Sequence, residues 1–193
     1  DEFAPCPSVQ YEGKCYFSAV PARDPEAGGK EGAARGDADL YYSSQQGGSW
    51  QTPVAMHHEI NSALDEEILD FGMSGGVLFF SRHIAHEQTA IYSDTFRLDD
   101  SDPPAYKAFD GPLLGSIGDY AMSLFQDSII VFASARTGGY GANDLYLAVR
   151  RNGRWYEPVN LGPEINGPFN EHYPHLSSDG LTLYFSSDRL ESM

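Results

Sequence analysis

The chain has 193 residues, 41% of them hydrophobic and 13% aromatic, enough to build a packed core and too many for wholesale disorder. Lys and Arg total 12 against 28 Asp and Glu, a formal net charge of -16 that repels phosphate backbones and anionic bilayers and excludes nucleic acid as a partner. No apolar run approaches the roughly 20 residues of a bilayer span; the longest, "GGVLFF" and "SIIVFASA", are strand-sized.

In chain order, "DEFAPC" leads through the turn-like "VQYEG" into "YEGKCYFSA", a predicted hairpin. Cys6 and Cys15 are expected nearly opposite each other across it; a cross-strand disulfide in an oxidising compartment and a pair of half-buried thiols both fit. A long loop at 20–36 precedes "ADLYYSSQQGGSWQTPVAMHHEIN", read as a strand, a turn and a Trp-led strand. "DEEILD" and "SGGVLFFSR" open a second unit, which continues as "TAIYSDTFRLDDSDPPAYKAF": Ile91-Tyr92 stand for Leu-Tyr, Tyr106 stands for the Trp, and the turn has grown into an acidic insertion. "IGDYAM" and "QDSIIVFASAR" open a third unit, completed by "NDLYLAVRRNGRWYEPVN". "NEHYPH" and "SDGLTLYFSSDR" open a fourth.

Segments 38–68 and 143–173 match at Asp39/Asp144, Leu40/Leu145, Tyr41/Tyr146, Trp50/Trp155, Pro53/Pro158, Asn61/Asn166 and Glu66/Glu171, every pair 105 residues apart, or two units of about 52. The runs are 5 to 9 residues long, rich in Val, Ile, Tyr, Phe and Trp, and bounded by Gly, Asp, Asn or Pro, which is hairpin chemistry. Each unit therefore reads as four antiparallel strands, a to d, and units of that kind at this period make an all-β propeller. The expected blades are 1–61, 62–114 and 115–166, with a half blade at 167–193, giving 14 strands in one propeller segment. An unclosed ring exposes a blade face and a strand edge, so the expectation is a part of a longer chain or a piece completed by another. A closed four-blade ring with a short last blade is the alternative.

The string "HYPHLSSDGLTLYFSSDR", preceded by "NDLYLAVRRNGRWYEPVNLGPEIN", resembles the WD-like propeller repeat of the TolB type. Pro174, Ser178, Asp179, Gly180, Tyr184, Phe185, Ser186, Ser187 and Arg189 carry the signature. The resemblance extends over nearly the whole chain, strongest from 118 to 189. It is closest to copies in bacterial cell-envelope proteins, among them peptidoglycan-associated components of the type IX secretion system. It implies a periplasmic or outer-membrane-associated location and protein partners.

Residues recurring with the blade are expected to hold the fold. Arg82, Arg136 and Arg189 close strand b while Glu2, Glu66 and Glu171 open strand a, as a blade-to-blade ion pair or loop clamp requires; Asp39 and Asp144 are alternative acid partners. Trp50 and Trp155 recur at the start of strand d and are read as blade packing. Ser74 in "GMSGG" matches a nucleophile-elbow pattern but falls at a strand-to-strand turn, which cannot lift a serine over a helix N-terminus. "TGGYGAND" misses both phosphate-loop patterns.

Metal chemistry is equally thin. His172 and His175 on one strand are expected on opposite faces. His83 and His86 are placed in a b–c loop without a third ligand at fixed spacing, and His57 and His58 precede Glu59. Asp99, Asp100 and Asp102, with Asp94, could ligate Ca²⁺ but lack the spacing of a calcium loop, so no cofactor is assigned and Ca²⁺ is the weak candidate. His83, His86 and the loop residue Tyr140 are the binding candidates, because recognition concentrates on loops held by a rigid scaffold. No catalytic residue is assigned. The expectation is a non-catalytic protein-binding scaffold. The alternatives are a propeller of a hydrolase, glycoside-active or peptidase-gating, and a propeller binding a small ligand or Ca²⁺ in its channel. A glycosidase would bring carboxylates of different blades to one mouth, with Asp70 and His175 the first positions to inspect.

Overall fold

The computed structural model describes residues 2–7, 13–20, 37–85, 88–95 and 106–189. Over these the chain is an all-β propeller segment whose strands pair antiparallel in chain order. The first sheet holds β1 (Glu2–Pro7), β2 (Lys14–Ala19), β3 (Asp39–Gln46), β4 (Ser49–Trp50) and β5 (Val54–Ala55). The second holds β6 (Glu66–Phe71), β7 (Val77–Ala85), β8 (Gln88–Thr95) and β9 (Lys107–Ala108). The third holds β10 (Asp119–Phe125), β11 (Ile129–Ser134), β12 (Asp144–Arg151), β13 (Arg154–Trp155) and β14 (Val159–Asn160). β15 (Glu171–Leu176) and β16 (Leu183–Ser187) form a two-stranded fourth. One 3₁₀ turn, Gly115–Ile117, precedes β10.

Strand d of the first and third units is broken in two, which gives 16 strand segments rather than 14 unbroken strands. Pro53 and Pro158 are the reason: each falls in the gap after a Trp, and a residue without an N–H interrupts the ladder until β5 and β14 resume it. The b–c connections also differ. In the second unit β7 runs on to Ala85 and β8 starts at Gln88, so His83 lies on a strand opposite Thr89 and not in the expected loop. His86, and the insertion residues Asp99, Asp100 and Asp102, lie outside the described residues.

The apolar core sits between consecutive sheets. Tyr16, Leu40, Ile68, Phe71, Leu78 and Phe80 join the first to the second, and Phe79, Ile91, Met122, Ile130, Phe132 and Tyr146 join the second to the third. Phe80 and Phe132 stand at the same height in their blades, facing Tyr92 and Tyr146 across the ladder, and both are fully buried, each stabilising by about 2–3 kcal/mol. Trp155 packs edge-on against Phe109 of the second unit at 6.4 Å, as blade packing requires. Trp50 does not: it is 56% exposed, because it belongs to the first sheet and the corresponding side of that sheet meets no described sheet.

Three ion pairs recur, but inside a blade rather than between blades: Arg82–Glu66 at 2.8 Å, Arg136–Asp119 at 2.6 Å and Arg189–Glu171 at 3.1 Å. Asp119 is the third acid, not foreseen from the sequence, and Arg82 stands opposite Glu66 inside β7 whereas Arg136 and Arg189 lie two residues beyond the equivalent serines, Ser134 and Ser187. The link to the preceding blade comes from backbone. Arg82 Nη2 donates to the Ile60 carbonyl at 2.7 Å, Arg136 Nη2 to that of Pro112 at 2.9 Å and Arg189 Nη2 to that of Ile165 at 2.5 Å. The acids accept from the same connections, from the N–H groups of Ser62, Leu114 and Gly167. Each joint thus ties strands a and b of one unit to the segment arriving from the last. Asp144 has another use: it accepts from Tyr140 N, Gly141 N and Asn160 Nδ2 at 2.6–2.9 Å, fixing the glycine loop at 137–142. Glu2 opens β1, and its side chain lies outside the described residues.

The hairpin of β1 and β2 sets Cys6 opposite Tyr16 and Pro7 opposite Cys15. Cys6 and Cys15 are therefore one position out of step, and the pleat sends them to opposite faces. Both thiols are free, so the cross-strand disulfide is not formed.

Candidate functional site

The inner strands β1, β6, β10 and β15 lie side by side. The Leu124 N–H on β10 donates to Asp70 Oδ2 on β6 at 2.6 Å, and the Leu176 N–H on β15 donates to Ser123 Oγ on β10 at 3.2 Å. Glu66, Asp119 and Glu171 turn into their blades to meet arginine; the next residues, Glu67, Tyr120 and His172, turn the other way. Simple alternation would return the residues three further on to the blade side.

A bulge prevents this. In all four inner strands the register with strand b slips, between Phe3 and Cys6, Ile68 and Asp70, Tyr120 and Met122, and His172 and His175. His172 pairs with Ser186 and His175 with Tyr184, two residues apart on β16 and so on one face. The expectation that these histidines point to opposite faces is thereby corrected: the extra residue, Tyr173 at φ 48, restores the parity. Ala121 at φ 47 does the same in β10. The slip also brings Glu67 with Asp70, and Tyr120 with Ser123, onto one inner face, in which consecutive units meet.

Two rows of side chains cross this face. The first is Glu67, Tyr120 and His172, with Tyr173 beside it. Tyr120 Oη meets His172 Nδ1, linking the third unit to the fourth. Burial pushes the Glu67 carboxyl up to about 7. Burial also raises Tyr120 and Tyr173, and the nearby Glu67 charge raises both further. Glu67 makes no hydrogen bond or ion pair among the described residues.

The second row is Cys6, Asp70, Ser123 and His175. Cys6 Sγ approaches Asp70 Oδ1 at 4.0 Å, and burial, then the Asp70 charge, push its thiol up to about 12. Burial raises Asp70 as well, against the N–H groups of Leu124 and Phe71, the His175 charge and the Ser123 hydroxyl, all of which favour its anion. A serine, a histidine and an aspartate therefore stand close together, but the serine is buried, holds Leu176 N and faces Asp70 rather than an imidazole base.

Asp70 and His175 thus belong to the face that the sequence nominated for inspection. The carboxylates described on it, Glu67 and Asp70, both come from β6, so the two-blade carboxylate pair of an inverting glycosidase is not assembled among the described residues. No group of three His, Cys, Asp or Glu able to hold a metal ion occurs among them either. Ser74 sits at the β6–β7 turn, its hydroxyl accepting from Gly76 N at 3.3 Å, with no helix to follow. His83 and Tyr140 are exposed and far apart in the chain, on β7 and on the Asp144-held loop, and no described contact joins them.

Glu67, Tyr120 and Tyr173 are not among the residues the sequence nominates, and His172 enters there only as a metal ligand, because the binding candidates were placed on loops. The signal was on the inner strand: the position after each recurring acid is Glu, Tyr or His and changes from unit to unit. No helix among the described residues is long and apolar enough to cross a membrane. No protein-family model and no curated protein matches the chain. Among solved structures it is similar to TolB from Acinetobacter baumannii, at 14% identity and a TM-score of 0.48, over 79% of this chain and 32% of that one.

Proposed function

We propose that the chain is a non-catalytic, protein-binding propeller: an acidic scaffold in a bacterial cell-envelope assembly such as a secretion or peptidoglycan-anchored complex, periplasmic or outer-membrane-associated. One observation carries the reading. The charges that recur with the blade are consumed in the joints between units, whereas the residues that vary, Glu67, Tyr120, His172 and Tyr173, collect on one open face built by three consecutive units. A face of this kind offers hydrogen bonds, aromatic rings and negative charge to a surface, and it requires no cofactor.

The envelope location rests on the repeat signature from Pro174 to Arg189. The net charge of -16 favours a partner carrying positive charge. The test is affinity capture from envelope extracts with the chain as bait. The expected result is one or a few envelope proteins retained at mild salt and released as salt rises. Recovery of no partner at mild salt would overturn the reading.

A further inference from the structure

We propose that Glu67, Tyr120, His172 and Tyr173 form a receptor for a single side-chain cation, the ammonium or guanidinium of a basic peptide segment. This rests on the protein-binding reading and names the chemistry its partner brings.

Glu67 is half-buried on an inner strand, yet no cation among the described residues answers it. The described arginines of the joints are held by Glu66, Asp119 and Glu171, Arg150 lies over Trp155, and Lys14 lies over Tyr42. A carboxylate withdrawn from water without a partner is costly, and the structure keeps this one between groups that carry no compensating charge. Those groups suit a cation. Tyr120 and Tyr173 bring two rings and two hydroxyl oxygens from neighbouring units; rings attract a cation through their faces, and the hydroxyls accept its N–H donors. The Tyr120–His172 contact fixes one side of the receptor, and Tyr173, 58% exposed on its bulge, leaves the other side open. A divalent metal fits less well, since three ligating side chains are not gathered among the described residues.

The test is an NMR titration of the full chain at pH 8 with acetyl-Gly-Lys-Gly-amide and with its norleucine counterpart, which has the same stem without the charge. The lysine peptide is expected to shift the His172 and Tyr173 ring resonances saturably and the norleucine peptide to leave them in place. Glu67→Gln should weaken the lysine peptide roughly tenfold, as loss of a half-buried charge partner does. Tyr173→Ala, at an exposed position that leaves folding intact, should weaken it about threefold, while Glu157→Gln on the outer surface should change nothing.

Equal shifts with both peptides, or Glu67→Gln binding unchanged, would overturn the receptor. Its failure is separable from that of the scaffold: capture of a partner that Glu67→Gln does not weaken leaves the scaffold standing and removes the receptor. Lysine binding without any captured partner does the reverse.

Discussion

Arg136 grips Asp119 through two nitrogens, Nε to Oδ1 at 3.1 Å and Nη2 to Oδ2 at 2.6 Å, while its Nη2 also reaches the Pro112 carbonyl at 2.9 Å. The acid is fully buried, and the guanidinium lies 5.1 Å from the Phe132 ring centre and 5.7 Å from that of Tyr146. Arg136→Ala leaves a buried carboxylate unpaired and should cost about 3–5 kcal/mol. Arg189→Ala removes a side chain that is 39% exposed, so water can reach the vacated place and Glu171 keeps the Ser187 hydroxyl and the Gly167 N–H; it should cost less than Arg136→Ala. Urea titration of both variants checks the ranking.

Asn166 is buried and holds strand c by both backbone groups of one residue, accepting from Leu145 N at 2.8 Å and donating to Leu145 O at 3.0 Å. Asn166→Ala strands two buried groups and should cost roughly 2–4 kcal/mol. Asn61 makes the same bonds to Leu40 in a half-buried setting, so Asn61→Ala should cost less. Thermal melts of the two variants under one buffer make the comparison.

Glu67 supplies a pH signature with a definite sign. Its carboxyl is raised from 4.5 to about 7 by burial, so the folded chain holds a proton there that the unfolded chain releases. The stability from this group is complete below about pH 4.5 and is lost as pH climbs to about 7. Glu67→Gln cannot titrate and should melt above wild type at pH 8 and level with it at pH 4. Melting curves at the two pH values decide; a gap at pH 4 equal to that at pH 8 would contradict the assignment.

Cys6, with its thiol pushed up to about 12 by burial and by Asp70, should be sluggish toward iodoacetamide at pH 8, where few thiolates exist. Asp70→Asn removes the charge that opposes the thiolate and should speed the reaction. Mass spectrometry of time points, read at the Cys6 peptide, measures both rates.

Much of the blade architecture was legible because its determinants are local. The Leu-Tyr of strand c, the turns and the Trp-led strands recur at fixed spacing, and each is found in its sheet. Trp50 misled because packing depends on a neighbouring sheet, and the same residue type is half-buried at Trp155 and exposed at Trp50. Asp119 was hidden by a shift of one residue in aligning "IGDYAM", too small to see without the register. The inner face was hidden by the bulges. Period-2 alternation assigns His172 and His175 to opposite sides, and only the extra residue at Tyr173 reunites them. Long-range register, unlike periodicity, is not written in neighbouring residues.

The joints that tie each unit to the connection before it make this segment behave like beads coupled in series, where each bead senses only its neighbours. Cutting the middle coupling at Asp119 should do more than lower a midpoint: it should let the two ends melt out of step. Trp50 in the first sheet and Trp155 in the third stand on either side of that break and would report two transitions where the intact chain reports one.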